Sequence, residues 1–86
     1  MKDIIERGVE EYNRYRSPEA RAEIANFDDN GFTIIFRGPF CRSCGIYDYF
    51  EDLIYILKRR GRMDLEIVEI EELNEMFQVK YMIKRQ

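Results

Sequence analysis

Apolar residues between Lys2 and Arg16 recur at helical spacing. Ile5, Val9 and Tyr12 form one stripe, and Ile4 and Tyr15 widen it, which predicts an amphipathic helix over residues 2–16. Pro18 disfavours helical geometry at Ser17, so the helix should stop there. Further on the period changes from 3.6 to 2. Phe32, Ile34 and Phe36 alternate with Thr33, Ile35 and Arg37, the pattern of a strand with one buried face. Asn30-Gly31, just before it, is a reverse-turn signal. A strand beside a turn needs a partner, and residues 20–27 are the nearest. The same stretch also admits a helix, with Ser17 as N-cap and Pro18 at the first helical position. The hairpin is the expectation taken here.

A second helix is predicted over residues 46–60, carrying Phe50, Leu53, Ile54 and Leu57 inward, with Gly61 as a left-handed ending. "DLEIVEI" then reads as a strand, "EELNE" as a solvated connection and "MFQVKYMIK" as the last strand. In that last strand Phe77, Val79, Tyr81 and Ile83 face one way, and Gln78, Lys80 and Lys84 the other.

The order helix, strand, strand thus occurs twice. A shift of 45 residues (77 − 32) lays Phe32, Ile34 and Phe36 on Phe77, Val79 and Tyr81. It also lays Ile5, Val9 and Tyr12 on Phe50, Ile54 and Leu57. The first strand of each unit fits this shift poorly. The pattern predicts one α+β domain over residues 1–86, built αββαββ as two αββ halves, 1–40 and 46–86. Its sheet should be four-stranded and mostly antiparallel, with both helices packed on one face.

Composition agrees with a small folded domain. The hydrophobic share is 45%, with six Phe and six Tyr, so a compact core can be dense in aromatic side chains and a disordered chain is excluded. Charged residues reach 36%, above the usual quarter, and His and Trp are absent, a balance found in heat-adapted proteins. The net charge of −3 creates no basic field that would draw nucleic acid. The longest apolar run, Leu53 to Leu57, is far short of a membrane span, and the acidic opening "MKDIIERGVEEYNRY" is not a signal peptide. A cytoplasmic setting is expected, and two cysteines are too few for a secreted disulfide scaffold.

Both cysteines fall in "RGPFCRSCGIYDYFEDLIY", as Cys41 and Cys44. A Cys-x-x-Cys spacing brings two sulfurs within reach of each other or of one ion, and three readings follow. The pair is a candidate local disulfide, or two packed thiols, at a turn. Closing so short a loop stabilises by at most about 2 kcal/mol. The pair is also a candidate redox couple, with Cys41 attacking and Cys44 resolving. Strand, Cys-x-x-Cys, helix and strand over Thr33 to Ile70 is similar to the active site of thioredoxin-like oxidoreductases, although both prolines of this chain precede Cys41. Arg37 and Arg42 would favour a thiolate there, whereas Asp48, Glu51 and Asp52 would oppose it. Third, "CRSCG" resembles the zinc knuckle. A structural zinc wants four N or S ligands, so with no His a complete site would be shared between two chains. Asp48 followed by Glu51 fits a capping box, which starts the second helix after Tyr47 and leaves the cysteines in a loop.

The remaining features are quieter. "KRRGR", Lys58 to Arg62, ends a helix that begins with Asp48, Glu51 and Asp52, as the helix dipole favours. Tyr47, Tyr49 and Tyr55 cannot all be buried by the face that buries Phe50, Leu53 and Leu57, so they are candidates for a partner surface. General acid-base catalysis lacks its usual residue, and no phosphate loop, dinucleotide turn or nucleophile elbow is present. The function expected is therefore non-enzymatic: a protein-binding or regulatory module that engages a protein partner or a second copy of itself, needs no cofactor and touches neither membrane nor nucleic acid. The alternatives are a thiol-disulfide oxidoreductase using Cys41 and Cys44, and a zinc-bridged homodimer.

Overall fold

The structure is a computed structural model that describes residues 2–38, 46–74 and 76–84. The elements are α1 (Lys2–Arg16), β1 (Arg21–Phe27), β2 (Gly31–Arg37), α2 (Ile46–Gly61), β3 (Leu65–Leu73) and β4 (Met76–Ile83). The strands form one sheet in the order β1-β2-β4-β3, and all three pairings are antiparallel. This is the αββαββ arrangement that the apolar periods predict. Residues 21–27 are extended, so the helical alternative for that stretch is ruled out.

The core sits between the central strand pair and the two helices. Phe32 pairs with Tyr81, Ile34 with Val79 and Phe36 with Phe77, and the period of 2 sends all six side chains to the same face. Ile5, Val9 and Tyr12 of α1 and Phe50, Leu53 and Leu57 of α2 are buried with them. Aromatic rings fill much of this space. Phe32 stacks on Tyr81 with centroids 5.2 Å apart. Phe50 lies 5.0 Å from Phe36 and 5.4 Å from Phe77, and Tyr12 meets Phe36 edge-on at 5.5 Å. Such pairs add about 0.5–1.5 kcal/mol each beyond the area they bury.

The helices run antiparallel and close together. A Cβ on Gly8 would stand 2.4 Å from Leu57 Cδ2, and one on Gly61 would stand 2.8 Å from Ile4 Cγ2. Gly61 is therefore the last helical residue and makes room for Ile4. The left-handed turn expected there falls one residue later, at Arg62, where φ is 53° and the N–H donates to Lys58 O at 2.9 Å.

Four other expectations need correction. Tyr15 does not extend the buried stripe; it is 79% exposed. On α2, Ile56 is buried and Ile54 only half-buried, because α2 leans toward α1. Ile46 and Tyr47 are already helical, so Asp48 is an acidic residue of the first turn and not the N-cap. Finally, Glu71, Glu72 and Leu73 belong to β3, because the ladder with β4 runs on to Leu73↔Met76. Asn74 is a turn residue and Met76 already opens β4, so "EELNE" is not a separate connection. The β1–β2 turn is held by Asp28, whose N–H donates to Gly31 O and whose Oδ1 accepts from Asn30 N–H, both at 2.9 Å.

Candidate functional site

Cys41 and Cys44 lie outside the described residues, and with them the disulfide, redox and zinc readings. Among the described residues no group of three or more His, Cys, Asp or Glu could hold a metal ion.

The three candidate tyrosines are described, and they do not share a surface. Tyr49 is tied to the end of α1. The Arg16 guanidinium lies 4.6 Å from its ring centre, and its hydroxyl donates to Glu19 Oε2 at 3.0 Å. That hydrogen bond to Glu19, more than its partial desolvation, holds the Tyr49 hydroxyl above its ordinary pKa. Tyr47 is half-exposed and meets Phe50 edge-on at 6.4 Å. Tyr55 is 71% exposed, on the side of α2 away from the sheet. There it lines a shallow groove between the helices with Tyr15, Ile56 and the pairs Arg16–Asp52 and Arg59–Glu11. Tyr15 is a rim residue that the sequence pattern misassigned to the core. The charged groups in this groove are already paired with each other. Arg60 joins them, with its Nε 2.6 Å from Glu11 Oε1. The hydrogen bond from Arg60, reinforced by Arg59, holds the Glu11 carboxyl below its ordinary range.

The sheet has two outer edges, and they are finished differently. β1 has α1 against it. The Asn13 side chain reaches the strand from the helix: its Nδ2 donates to Ala22 O at 2.9 Å, and its Oδ1 accepts from Ala22 N–H at 2.6 Å. The amide thus takes the place that a peptide group of a neighbouring strand would occupy. Nothing in the sequence marked Asn13 for this; it is one polar residue on an otherwise ordinary helix.

β3 is the other edge, and α2 touches it only lightly. Glu66 and every residue from Val68 to Leu73 are exposed, including the apolar Val68, Ile70 and Leu73. Ile70 pairs with Val79 and so faces the helix side of the sheet, beyond the cover that α2 provides. A bulge between Ile67 and Glu69 leaves Glu69–Leu73 as the regular part of the edge. Glu69 and Glu71 stand on the helix-free face beside Lys80 and Gln78 of β4. Among the described residues none of the β3 carboxylates forms an ion pair. An open edge of this kind can accept an extended chain.

The chain has no significant match to any protein-family profile, curated protein or solved structure. Among the described residues no helix is long and apolar enough to cross a membrane.

Proposed function

We propose that this chain is a protein-binding module that takes an extended segment of a partner as a further strand along β3. The observation that carries this reading is the unequal finish of the two sheet edges. Asn13 of α1 caps β1 at Ala22 with a side-chain amide, while β3 leaves Val68, Ile70 and Leu73 exposed along an outer edge that no other strand of the described residues covers. In strand addition the main-chain hydrogen bonds supply affinity and alternate side chains supply selectivity. The geometry suits that division. The β3 main chain is open, and its neighbouring side chains alternate between Ile70 on one face and Glu69 and Glu71 on the other.

Residue-resolved amide hydrogen exchange tests the reading, with and without an excess of a short peptide of alternating valine and threonine. Added protection should appear within Glu69–Leu73 and should be absent from β1, where the Ala22 N–H is already bonded. Protection confined to the Tyr15–Tyr55 groove, or no change along β3, would contradict it.

A further inference from the structure

Taking the edge reading above as its basis, we propose that the segment β3 accepts is basic, with Lys or Arg two residues apart flanking an apolar residue.

The charge along the strand selects among occupants. β3 carries Glu66, Glu69, Glu71 and Glu72, and the regular part of the edge, Glu69–Leu73, holds three of them. A second copy of this chain fits poorly. Antiparallel pairing of β3 with itself about Ile70 sets Glu69 against Glu71 on both sides of the axis. Centring the pair on Glu71 sets that residue against itself. Like charges directly opposite each other in a sheet are destabilising. An acidic partner meets the same repulsion, and a neutral one leaves the carboxylates without a counter-charge.

A basic segment fits the alternation. Glu69 and Glu71 share the helix-free face, and on the β4 side they face Lys80 and Gln78. A partner's cationic side chains placed two apart would stand opposite both carboxylates, so Glu71 would gain the counter-charge that Gln78 cannot give. The residue between them points to the other face, beside the exposed Ile70, and is favoured there if apolar. Attraction of this kind also speeds encounter and weakens as salt is added.

The experiment measures binding of three short peptides to the full chain by fluorescence anisotropy: alternating lysine and valine, threonine and valine, and glutamate and valine. A fourth carries lysine and valine with every backbone nitrogen methylated, which keeps the charge and blocks strand pairing at both edges of the peptide. The lysine peptide should bind about fivefold tighter than the threonine peptide at low salt, and the glutamate peptide weakest. The double substitution Glu69→Lys and Glu71→Lys should invert that order. Equal binding of the lysine and threonine peptides, with protection still on β3, would overturn the charge preference and leave the edge reading standing. Undiminished binding of the methylated peptide would overturn the edge reading itself, because the contact would then not be a strand. Preference for the lysine peptide that survives the double substitution would place the basic contact away from β3 and overturn the proposal.

Discussion

The two outer strands of this sheet are alike in length class, pairing and position, yet one is capped at Ala22 by a helix side chain and the other has no such cap among the described residues. β1 lies under α1, and the N–H and C=O of Ala22 are both hydrogen-bonded to the Asn13 side chain. β3 lies at the far side of β4 with its apolar residues Val68, Ile70 and Leu73 exposed. Both strands are bulged, one between Ile24 and Asn26 and the other between Ile67 and Glu69, so a bulge alone does not explain the difference. What differs is the helix layer. α1 and α2 pack tightly against each other through Gly8 and Gly61, and this draws the pair toward the β1 side. A two-helix layer narrower than a four-stranded sheet leaves one strand over. The glutamates of β3 keep that strand soluble, since charge on an edge discourages indiscriminate pairing.

The comparison breaks if the same substitution behaves alike on both strands. Ala22 is buried beside α1, whereas Ile70 is 39% exposed. Ala22→Asn places a larger polar side chain in a closed space and should cost about 3 kcal/mol. Ile70→Asn loses only part of an apolar surface and should cost about 1 kcal/mol. Urea unfolding of the two variants measures both. Equal losses would mean that β3 is covered after all.

Asn13→Ala should make β1 resemble β3. The variant leaves the Ala22 N–H and C=O without their partners, at a cost of about 2 kcal/mol. The opened strand should then self-associate at high concentration, visible by light scattering over a dilution series. β1 carries less charge than β3, so it is less protected once exposed. A stability loss well below about 1 kcal/mol would mean that water replaces the amide easily and that Asn13 does not seal the edge.

How far this was legible in the sequence also divides between strands. β2 and β4 could be read directly, because Phe32, Ile34 and Phe36, and Phe77, Val79 and Tyr81, keep a strict period of 2. β1 was legible only as the partner that the β2 strand needs, and β3 only as far as Ile70. The bulge in β1 spaces its core-side residues as Ala22, Ile24 and Phe27, and the bulge in β3 spaces them as Leu65, Ile67 and Ile70. Residues 17–27 read ambiguously because Ser17 and Pro18 also signal a helix start, and "EELNE" read as a connection because its acidic run shows no alternation of apolar and polar residues. The bulges explain why these two strands fit the 45-residue shift poorly. The three candidate tyrosines are set apart by helical geometry. At about 100° per residue Tyr47, Tyr49 and Tyr55 point in three directions, and only Tyr55 stands opposite the core. Asn13 and the open edge depend on how the helix pair is seated over the sheet, a tertiary fact that no local pattern carries.

The smallest effect concerns the fastening of the helix that closes β1. Glu11 of α1 accepts hydrogen bonds from Arg59 and Arg60 of α2, and Arg60 most of all lowers its carboxyl pKa from the ordinary 4.5. A carboxyl whose pKa is lower in the folded than in the unfolded chain adds stability above the unfolded value. That increment disappears as pH falls through the folded value. Glu11→Gln should therefore lower stability by about 1 kcal/mol near neutral pH, allowing for the partial exposure of the arginines. Below pH 4.5 the two proteins should converge. The β1 amides, Ala22 among them, should exchange faster in the variant at neutral pH, while those of β3 stay as they were. If β1 and β3 amides speed up together, α1 supports the whole sheet and not one edge of it, and the contrast between the edges would have to be traced to the strands themselves.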